Sequence, residues 1–144
     1  MKTLAKVLLL ILAAYAPALA KEIDLYNGAA EAKAYIADDL TIYLWDGEPV
    51  AYLDPSRNNT EVDVYGFNGK HLGWFRRGIM FNHEGYAVGA VREAFISNPG
   101  FAPFKGFKQF KPFKSFQEFA PFQPIFKKSW SDTSLTRHLR KGIN

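Results

Sequence analysis

Apolar and polar residues alternate over short distances between residues 25 and 91, and the alternation recurs in four related stretches. The three stronger copies read IYLWDGEPVAYL (42–53), VYGFNGKHLGWF (64–75) and MFNHEGYAVGAV (80–91), and the weaker first copy reads LYNGAAEAKAYI (25–36). The stronger copies share glycine at position six, an aliphatic residue at nine, a small residue at ten and an apolar residue at twelve. No 3.6-residue period holds through these stretches, so they predict strands and not helices.

Each copy is predicted to form a β-hairpin, because a turn dipeptide separates two runs rich in aromatic and β-branched residues. The dipeptides are Asp46-Gly47, Asn68-Gly69 and Glu84-Gly85. Glycine supplies the positive φ angle that tight hairpin turns need, so these three glycines are predicted to be structural turn residues. The first copy has Ala30 at the equivalent position, which leaves its turn geometry open.

A lone hairpin is marginal in water, so the four hairpins are expected to bury one face each against a shared centre. The alternating large residues of copies two and three are natural inward positions: Ile42, Leu44, Val62 and Val64. The sequence therefore predicts an all-β fold with four β-hairpin repeats around a pseudo-fourfold centre. One continuous meander is the alternative, and residues 54–61 are expected to form a polar surface loop.

Phenylalanine recurs at every third position from Phe101 to Phe122, and Ile125 continues the rhythm. An α-helix would spread these rings around its surface, and a strand would point successive rings to opposite sides. Polyproline II has three residues per turn and places all of them on one edge. We therefore predict an extended, polyproline-like segment over residues 99–130, the Phe/Lys tail, with a Phe edge, a Lys edge and a Pro/small edge. Its prolines Pro103, Pro112 and Pro121 lie nine residues apart, which reveals three nine-residue copies.

Residues 131–144 differ from the Phe/Lys tail and predict a short amphipathic helix over about residues 132–141. Ser131 to Ser134 offer N-cap candidates, Leu135 and Leu139 are four residues apart, and Gly142 is suited to the end of the helix.

Residues 1–20 are typical of a signal peptide, with Lys2 and Lys6 before a short apolar run and Ala18-Leu19-Ala20 before the cleavage point. An uncleaved anchor is the alternative, although the apolar run is short for a membrane span. The predicted mature chain therefore begins with the hairpin domain, residues 21–98. It is expected to be exported to the periplasm or the extracellular space. The absence of cysteine favours a bacterial envelope protein that is stabilised by packing alone.

Charge divides the mature chain into an acidic and a basic part. Residues 21–98 hold seven Lys/Arg and twelve Asp/Glu, a net charge of −5, and residues 99–144 hold nine and two, a net charge of +7. This asymmetry predicts that the Phe/Lys tail docks on its own domain, or binds an envelope protein or polymer or an anionic membrane surface. Export argues against nucleic acid, a disordered tail is a further alternative, and the oligomeric state is left open. The candidate partner-binding residues are Phe104, Phe107, Phe110, Phe113, Phe116, Lys105, Lys108, Lys111, Lys114, Trp45 and Trp74.

Catalytic chemistry has little support in the sequence, and we predict no catalytic residue, no cofactor and no metal site. His71, His83 and His138 show none of the common metal-ligand spacings, and the first two are expected to be exposed turn residues. A metal site shared by His71, His83 and Glu84 is the alternative. A carbohydrate-active or hydrolytic domain would need a defined carboxylate pair, and several pairs qualify among Asp38, Asp39, Asp46, Glu48 and Asp54.

The combination of GEPVAYL with GFNGKHLGWF resembles the four-fold beta-flower domain of bacteria, over about residues 23–95. This resemblance implies a small domain of four hairpins without an established activity. It also implies a basic, proline-containing C-terminal tail, as members of that family carry. Together, the residues and the resemblance predict an exported, non-catalytic binding or structural module. A tail that binds membrane surfaces and is displayed on a carrier domain is a further alternative.

Overall fold

Eight antiparallel strands close into a barrel in the computed structural model, which describes residues 21–144. The strands follow one another around the barrel in sequence order. They are β1 Ile23–Tyr26, β2 Ala32–Ile36, β3 Thr41–Leu44, β4 Pro49–Asp54, β5 Val62–Gly66, β6 His71–Arg76, β7 Ile79–Phe81 and β8 Ala87–Ala90. The predicted signal peptide, residues 1–20, lies outside the described residues.

The four sequence copies form four hairpins with the same backbone irregularity. Each hairpin shifts register once, between positions one and two of its copy. The shifts fall between Leu25 and Tyr26, Ile42 and Tyr43, Val64 and Tyr65, and Met80 and Phe81. A bulge increases the local twist of a strand pair, so the sequence repeat is also a repeat of strand curvature.

The hairpin turns place their sixth residue in the left-handed region. Gly47, Gly69 and Gly85 have φ angles of 98°, 91° and 90°, and Ala30 has a φ of 61° in the first copy. The turn of the first hairpin therefore has the same left-handed backbone conformation at this position, although alanine adopts that conformation at a steric cost.

Neighbouring hairpins also pair with each other, through β2–β3, β4–β5 and β6–β7. The pairing of Tyr26 in β1 with Ala90 in β8 closes the barrel. The prediction of an all-β fold with four hairpins around one centre is confirmed. The centre is the interior of one continuous closed sheet, in which no strand is left as a free edge.

The barrel interior holds the apolar residues that alternate along the strands. Ile42, Leu44, Val62 and Val64 all lie in this core, as predicted. Position ten of each copy carries a small residue, and at its two glycines the space beside the Cα atom is occupied: at Gly73 by the Phe81 carbonyl and at Gly89 by Leu135. At Gly89, an added Cβ atom would come 2.9 Å from Leu135 Cδ1.

The short helix α1 (Leu135–Arg140) adds residues from the C-terminal part of the chain to the barrel core. Ser134 caps it, because its side chain accepts a hydrogen bond from the Arg137 backbone N–H. The apolar face of α1, Leu135 and Leu139, is fully buried in the main core of the barrel. The helix is therefore a part of the barrel core, and not an appended surface element.

Residues 99–127 of the Phe/Lys tail form neither helix nor strand, and the polyproline geometry stays a prediction. The tail meets the sheet again at Trp130, which forms an isolated parallel bridge with Ala87. Within residues 21–144, no helix has the length and apolar character needed to cross a membrane.

Candidate functional site: the Phe/Lys tail on the barrel surface

The Phe/Lys tail is hydrogen-bonded to the hairpin turns through its backbone. The N–H groups of Gln109, Glu118 and Lys127 donate to the carbonyl oxygens of the turn glycines, at 3.0, 2.9 and 2.8 Å. The acceptors are Gly47, Gly69 and Gly85, respectively. The three donors lie nine residues apart, so each nine-residue copy in the tail corresponds to one hairpin of the barrel.

A second set of hydrogen bonds follows the same nine-residue step. Gly106 N–H donates to the Trp45 carbonyl at 2.9 Å, and Ser115 N–H donates to the Phe67 carbonyl at 2.8 Å. Nine residues further on, Pro124 has no N–H to donate. The sequence repeats of the tail and the barrel are therefore matched in register over two hairpins, and the match is partial at the fourth hairpin.

The turn glycines also make room for the tail backbone. A Cβ atom added at Gly47, Gly69 or Gly85 would fall 1.8, 2.1 or 2.3 Å from a carbonyl oxygen of the tail. Those oxygens belong to Phe107, Phe116 and Ile125. The predicted structural role of these glycines is thus accompanied by a contact role that the sequence pattern did not indicate.

Lysines of the tail form ion pairs with acidic residues of the barrel. Lys105 Nζ lies 2.8 Å from Glu22 and 3.0 Å from Asp24, and Lys108 Nζ lies 2.8 Å from Glu22. Lys111 Nζ lies 2.6 Å from Asp39. The Lys edge of the tail therefore faces the acidic domain.

These contacts change the acidity of the carboxylates. Burial alone would raise the pKa of Asp39, but hydrogen bonds from Lys111 and Thr41 outweigh burial and lower the pKa to about 2. The pKa of Glu22 is lowered in the same way, because Lys105 and Lys108 outweigh its burial. A general acid needs a raised pKa, so neither group is suited to that role at neutral pH.

Lysine ammonium groups also lie over aromatic rings on the outside of the barrel. Lys105 Nζ is 4.4 Å from the ring centroid of Tyr35, and Lys114 Nζ is 4.1 Å from that of Tyr52. Lys127 Nζ is 4.7 Å from the ring centroid of Tyr86. Cation–π contacts of this length stabilise by about 0.5–2 kcal/mol each, so they add to the ion pairs.

Two of the rings beneath the lysines, Tyr35 and Tyr52, belong to aromatic cross-strand pairs between successive hairpins. Tyr35 pairs with Tyr43, Tyr52 with Tyr65, and Trp74 with Phe81. In each pair the first ring is at position eleven of one copy and the second at position two of the next. Our sequence reasoning missed these pairs. The signal was the aromatic residue at position two of all four copies, Tyr26, Tyr43, Tyr65 and Phe81.

The Phe edge points away from the barrel. The eight side chains from Phe101 to Phe122 at three-residue intervals are 97–109% exposed, and Ile125 is 85% exposed. The next aromatic residue, Phe126, breaks the rhythm and turns inward, with its ring centroid 4.7 Å from that of Phe81. Residues 101–125 of the tail therefore contact the barrel through lysines, Gln117 and the backbone, and they present an uncovered row of rings to the outside.

The two candidate tryptophans occupy different environments. Trp45 is half-buried, and its indole N–H donates to the Pro103 carbonyl at 3.0 Å, so it holds the start of the tail. Trp74 is fully buried and packs against His71 and Phe126. Of the partners predicted for Trp74, it contacts the chain's own tail, and the burial of its ring leaves no surface for an external partner.

His71 is also buried, so the prediction that it is an exposed turn residue is wrong. Its Nε2 lies 2.8 Å from Asp63 Oδ1, and its Nδ1 lies 3.0 Å from Nε2 of His83, which is exposed. Arg57 donates two hydrogen bonds to Asp63. Asp63 lies eight residues before His71 on the paired strand, and this pairing draws the imidazole inward.

Chemistry that needs a metal or a carboxylate pair gains no support from this geometry. Among residues 21–144, no group of three or more His, Asp or Glu side chains is arranged to hold a metal ion. The turn carboxylates contact the tail or α1 instead: Lys111 pairs with Asp39, Gln117 donates to Asp54, and Arg140 pairs with Glu48 at 2.7 Å.

Of the comparisons with known proteins, the family comparison agrees with this architecture. A curated bifunctional dihydrofolate reductase-thymidylate synthase from Leishmania amazonensis is 35% identical over 78 residues. This alignment covers 48% of the chain but 15% of that enzyme, and the chain therefore spans a small part of the relative. No solved structure gives a significant match. The family described as 4-fold beta flower protein matches residues 23–139, which include the Phe/Lys tail and most of α1. The chain therefore belongs to the 4-fold beta flower family.

Proposed function

We propose that this protein is an exported, non-catalytic module that binds the surface of a lipid bilayer through the Phe edge of its Phe/Lys tail. The observation that carries the proposal is the near-complete exposure of eight phenylalanine side chains in one row. Exposed apolar patches of this kind mark interaction sites, because water exposure of so many rings is unfavourable. Export is supported by the signal-peptide pattern of residues 1–20.

A bilayer suits the shape of the Phe edge better than a protein groove does. In polyproline geometry, the path from Phe101 to Phe122 measures about 65 Å along the tail, so a single protein partner would have to follow that whole path to cover every ring. Each ring stands free of its neighbours, and a fluid acyl-chain boundary can take up each ring separately. Aromatic side chains are favoured at the boundary between headgroups and acyl chains.

The charges of the tail also favour an apolar contact over an electrostatic one. Lys105, Lys108 and Lys111 are paired with acidic residues of the barrel, so their charges are largely neutralised. We therefore expect binding to neutral phosphatidylcholine vesicles, with modest strengthening by anionic lipid and weak dependence on salt. A tail that used its lysines for anionic lipid would show the opposite pattern.

Vesicle co-sedimentation of the mature chain tests the proposal. Replacement of Phe104, Phe110 and Phe116 by serine removes three rings without touching the barrel, and should weaken binding at least about tenfold. The matched control replaces Gln109 and Gln123, two exposed side chains of the same tail, by serine, and should bind as the native chain does. Equal binding by the triple variant and the native chain would reject the proposal.

A further inference from the structure

A cavity of about 330 Å³ lies where the segment before α1 crosses the turn of the fourth hairpin. All three histidines of the chain line it, although they are far apart in sequence. Beside the histidines, the lining residues that bear on the ligand are Leu72, Glu84, Ser131, Asp132, Thr133 and Lys141. This volume lies at the lower end of the range of small-ligand pockets, about 300–1,000 Å³.

A hydrogen-bond chain fixes the orientation of His83 at this cavity. Arg57 and His71 both contact Asp63, so the Asp63 carboxylate accepts from His71 Nε2. With a neutral His71 ring, its Nδ1 then accepts from His83 Nε2 at 3.0 Å, and the two contacts together set the tautomer of both rings. The lone pair of the neutral His83 ring is thereby placed on Nδ1, as a fixed hydrogen-bond acceptor.

His138 provides a second neutral imidazole. It is almost fully buried on α1, and its Nε2 has no hydrogen-bond partner. Burial, with a smaller contribution from Lys141, lowers the pKa of His138 to about 4, so the ring is uncharged at neutral pH. A buried polar atom without a partner is costly, and a small shift of the ring toward the cavity would let a ligand satisfy it.

The remaining lining groups define the class of ligand. Glu84 and Asp132 against Lys141 leave a net charge of −1 beside neutral imidazoles, which disfavours anions. Ser131 and Thr133 add hydroxyl groups, and Leu72 is the one aliphatic residue of the lining. Hydrogen-bond acceptors and donors are thus interleaved around a space whose wall is mainly polar, which matches a ligand that both donates and accepts through several hydroxyls.

We propose that this cavity binds a neutral, hydroxyl-rich ligand, namely a single sugar ring that is free or at the end of a glycan chain. The ligand would contact both the fourth hairpin and the segment before α1, so it would also hold the C-terminal segment on the barrel. This proposal is independent of the Phe edge, and the triple serine variant described above should retain it.

Histidine imidazole signals in NMR spectra of the mature chain test the proposal, since every histidine of the chain reports on this cavity. The probes are D-glucose, N-acetyl-D-glucosamine and myo-inositol, with maltose and chitobiose for a chain end. Inorganic phosphate and zinc chloride represent the competing ligand classes. We expect saturable shifts of the His83 and His138 signals with at least one neutral probe, at a Kd of about 1 mM or tighter.

Two variants make the result specific to the cavity. Asp132→Ala removes an exposed lining carboxylate and should weaken sugar binding at least about tenfold, without loss of the fold. Asp38→Ala removes an exposed acid away from the cavity and should leave binding unchanged. The proposal is overturned by the absence of saturable shifts with all neutral probes, by binding of phosphate or zinc in their place, or by equal affinity of the Asp132 variant.

Discussion

At the scale of single residues, the turn glycines serve two physical requirements at once. Gly47 has a φ of 98°, which L-residues adopt at a cost, and its missing side chain leaves space for the Phe107 carbonyl. Gly78 has a similar φ of 81°, but an added Cβ atom there would meet the side chain of Val91 and no part of the Phe/Lys tail. Substitutions at these two positions therefore distinguish the effect of backbone strain from the effect of a lost contact with the tail.

Gly47→Ala and Gly78→Ala should both lower the free energy of unfolding by about 1–2 kcal/mol, because both force alanine into the left-handed region. Gly47→Ala should in addition release the tail near Phe107, which limited proteolysis with a protease that cleaves after aromatic residues can detect. Faster cleavage of the tail in the Gly47 variant alone is the expected result. Equal cleavage in both variants would show that the tail does not depend on this contact.

Because the pKa of Asp39 is lowered by its contact with Lys111, we expect the attachment of the tail to depend on pH. Its folded-state pKa is about 2, below the ordinary value of 3.8, so its contribution to stability is present above pH 4. That contribution is lost as the pH falls from about 4 to 2, where the carboxylate becomes protonated and releases Lys111. Asp39→Asn should flatten the fall of stability over this range in denaturation experiments. An unchanged pH profile would contradict the assigned role of the Lys111 pair.

At the scale of secondary-structure elements, the C-terminal helix shows where sequence reasoning succeeded and where it stopped. The spacing of Leu135 and Leu139 predicted an amphipathic helix, and the structure has it at Leu135–Arg140. Its burial inside the barrel could not be read from the spacing, because the position-ten residues that make room for it lie on distant strands. Gly89 shows this directly, since Leu135 occupies the space beside its Cα.

Leu139→Ala should destabilise the whole barrel by about 2–5 kcal/mol, the range for large-to-small changes in a packed core. Arg137→Ala, on the exposed side of α1, serves as the control and should change stability by less than about 0.5 kcal/mol. Equilibrium denaturation of the two variants measures the difference. A small effect at Leu139 would mean that α1 is not a part of the core.

The strands themselves were predictable because alternation, turn dipeptides and the internal repeat all pointed to hairpins. The aromatic pairs between hairpins were not found, since positions two and eleven meet only when neighbouring hairpins pair. His71 was misplaced, and the burial of Trp74 was not predicted, for the same reason: Asp63 and Phe81, which contact them, lie on adjacent strands. Local pattern thus revealed the elements, and the contacts between elements required the structure.

At the scale of the whole molecule, the barrel and the Phe/Lys tail each contain a repeat, and the nine-residue copies of the tail match successive hairpins of the barrel. The tail advances nine residues for each turn glycine it meets, from Gln109 to Glu118 to Lys127. Its three edges thereby acquire separate roles: lysines on the acidic barrel, third-position N–H groups on the turns, and phenylalanines outward. The period of three was evident in the sequence, but the outward direction of the rings was not, because apolar residues are ordinarily expected to be buried.

Amide hydrogen exchange of the mature chain tests most directly whether the tail is held on the barrel by hydrogen bonds to the hairpin turns. The hydrogen-bonded amides of Gln109, Glu118 and Lys127 should exchange more slowly than the neighbouring amides of Phe107, Phe110 and Phe119. Slow exchange at nine-residue intervals is the predicted result. Uniformly fast exchange across residues 101–127 would contradict the account.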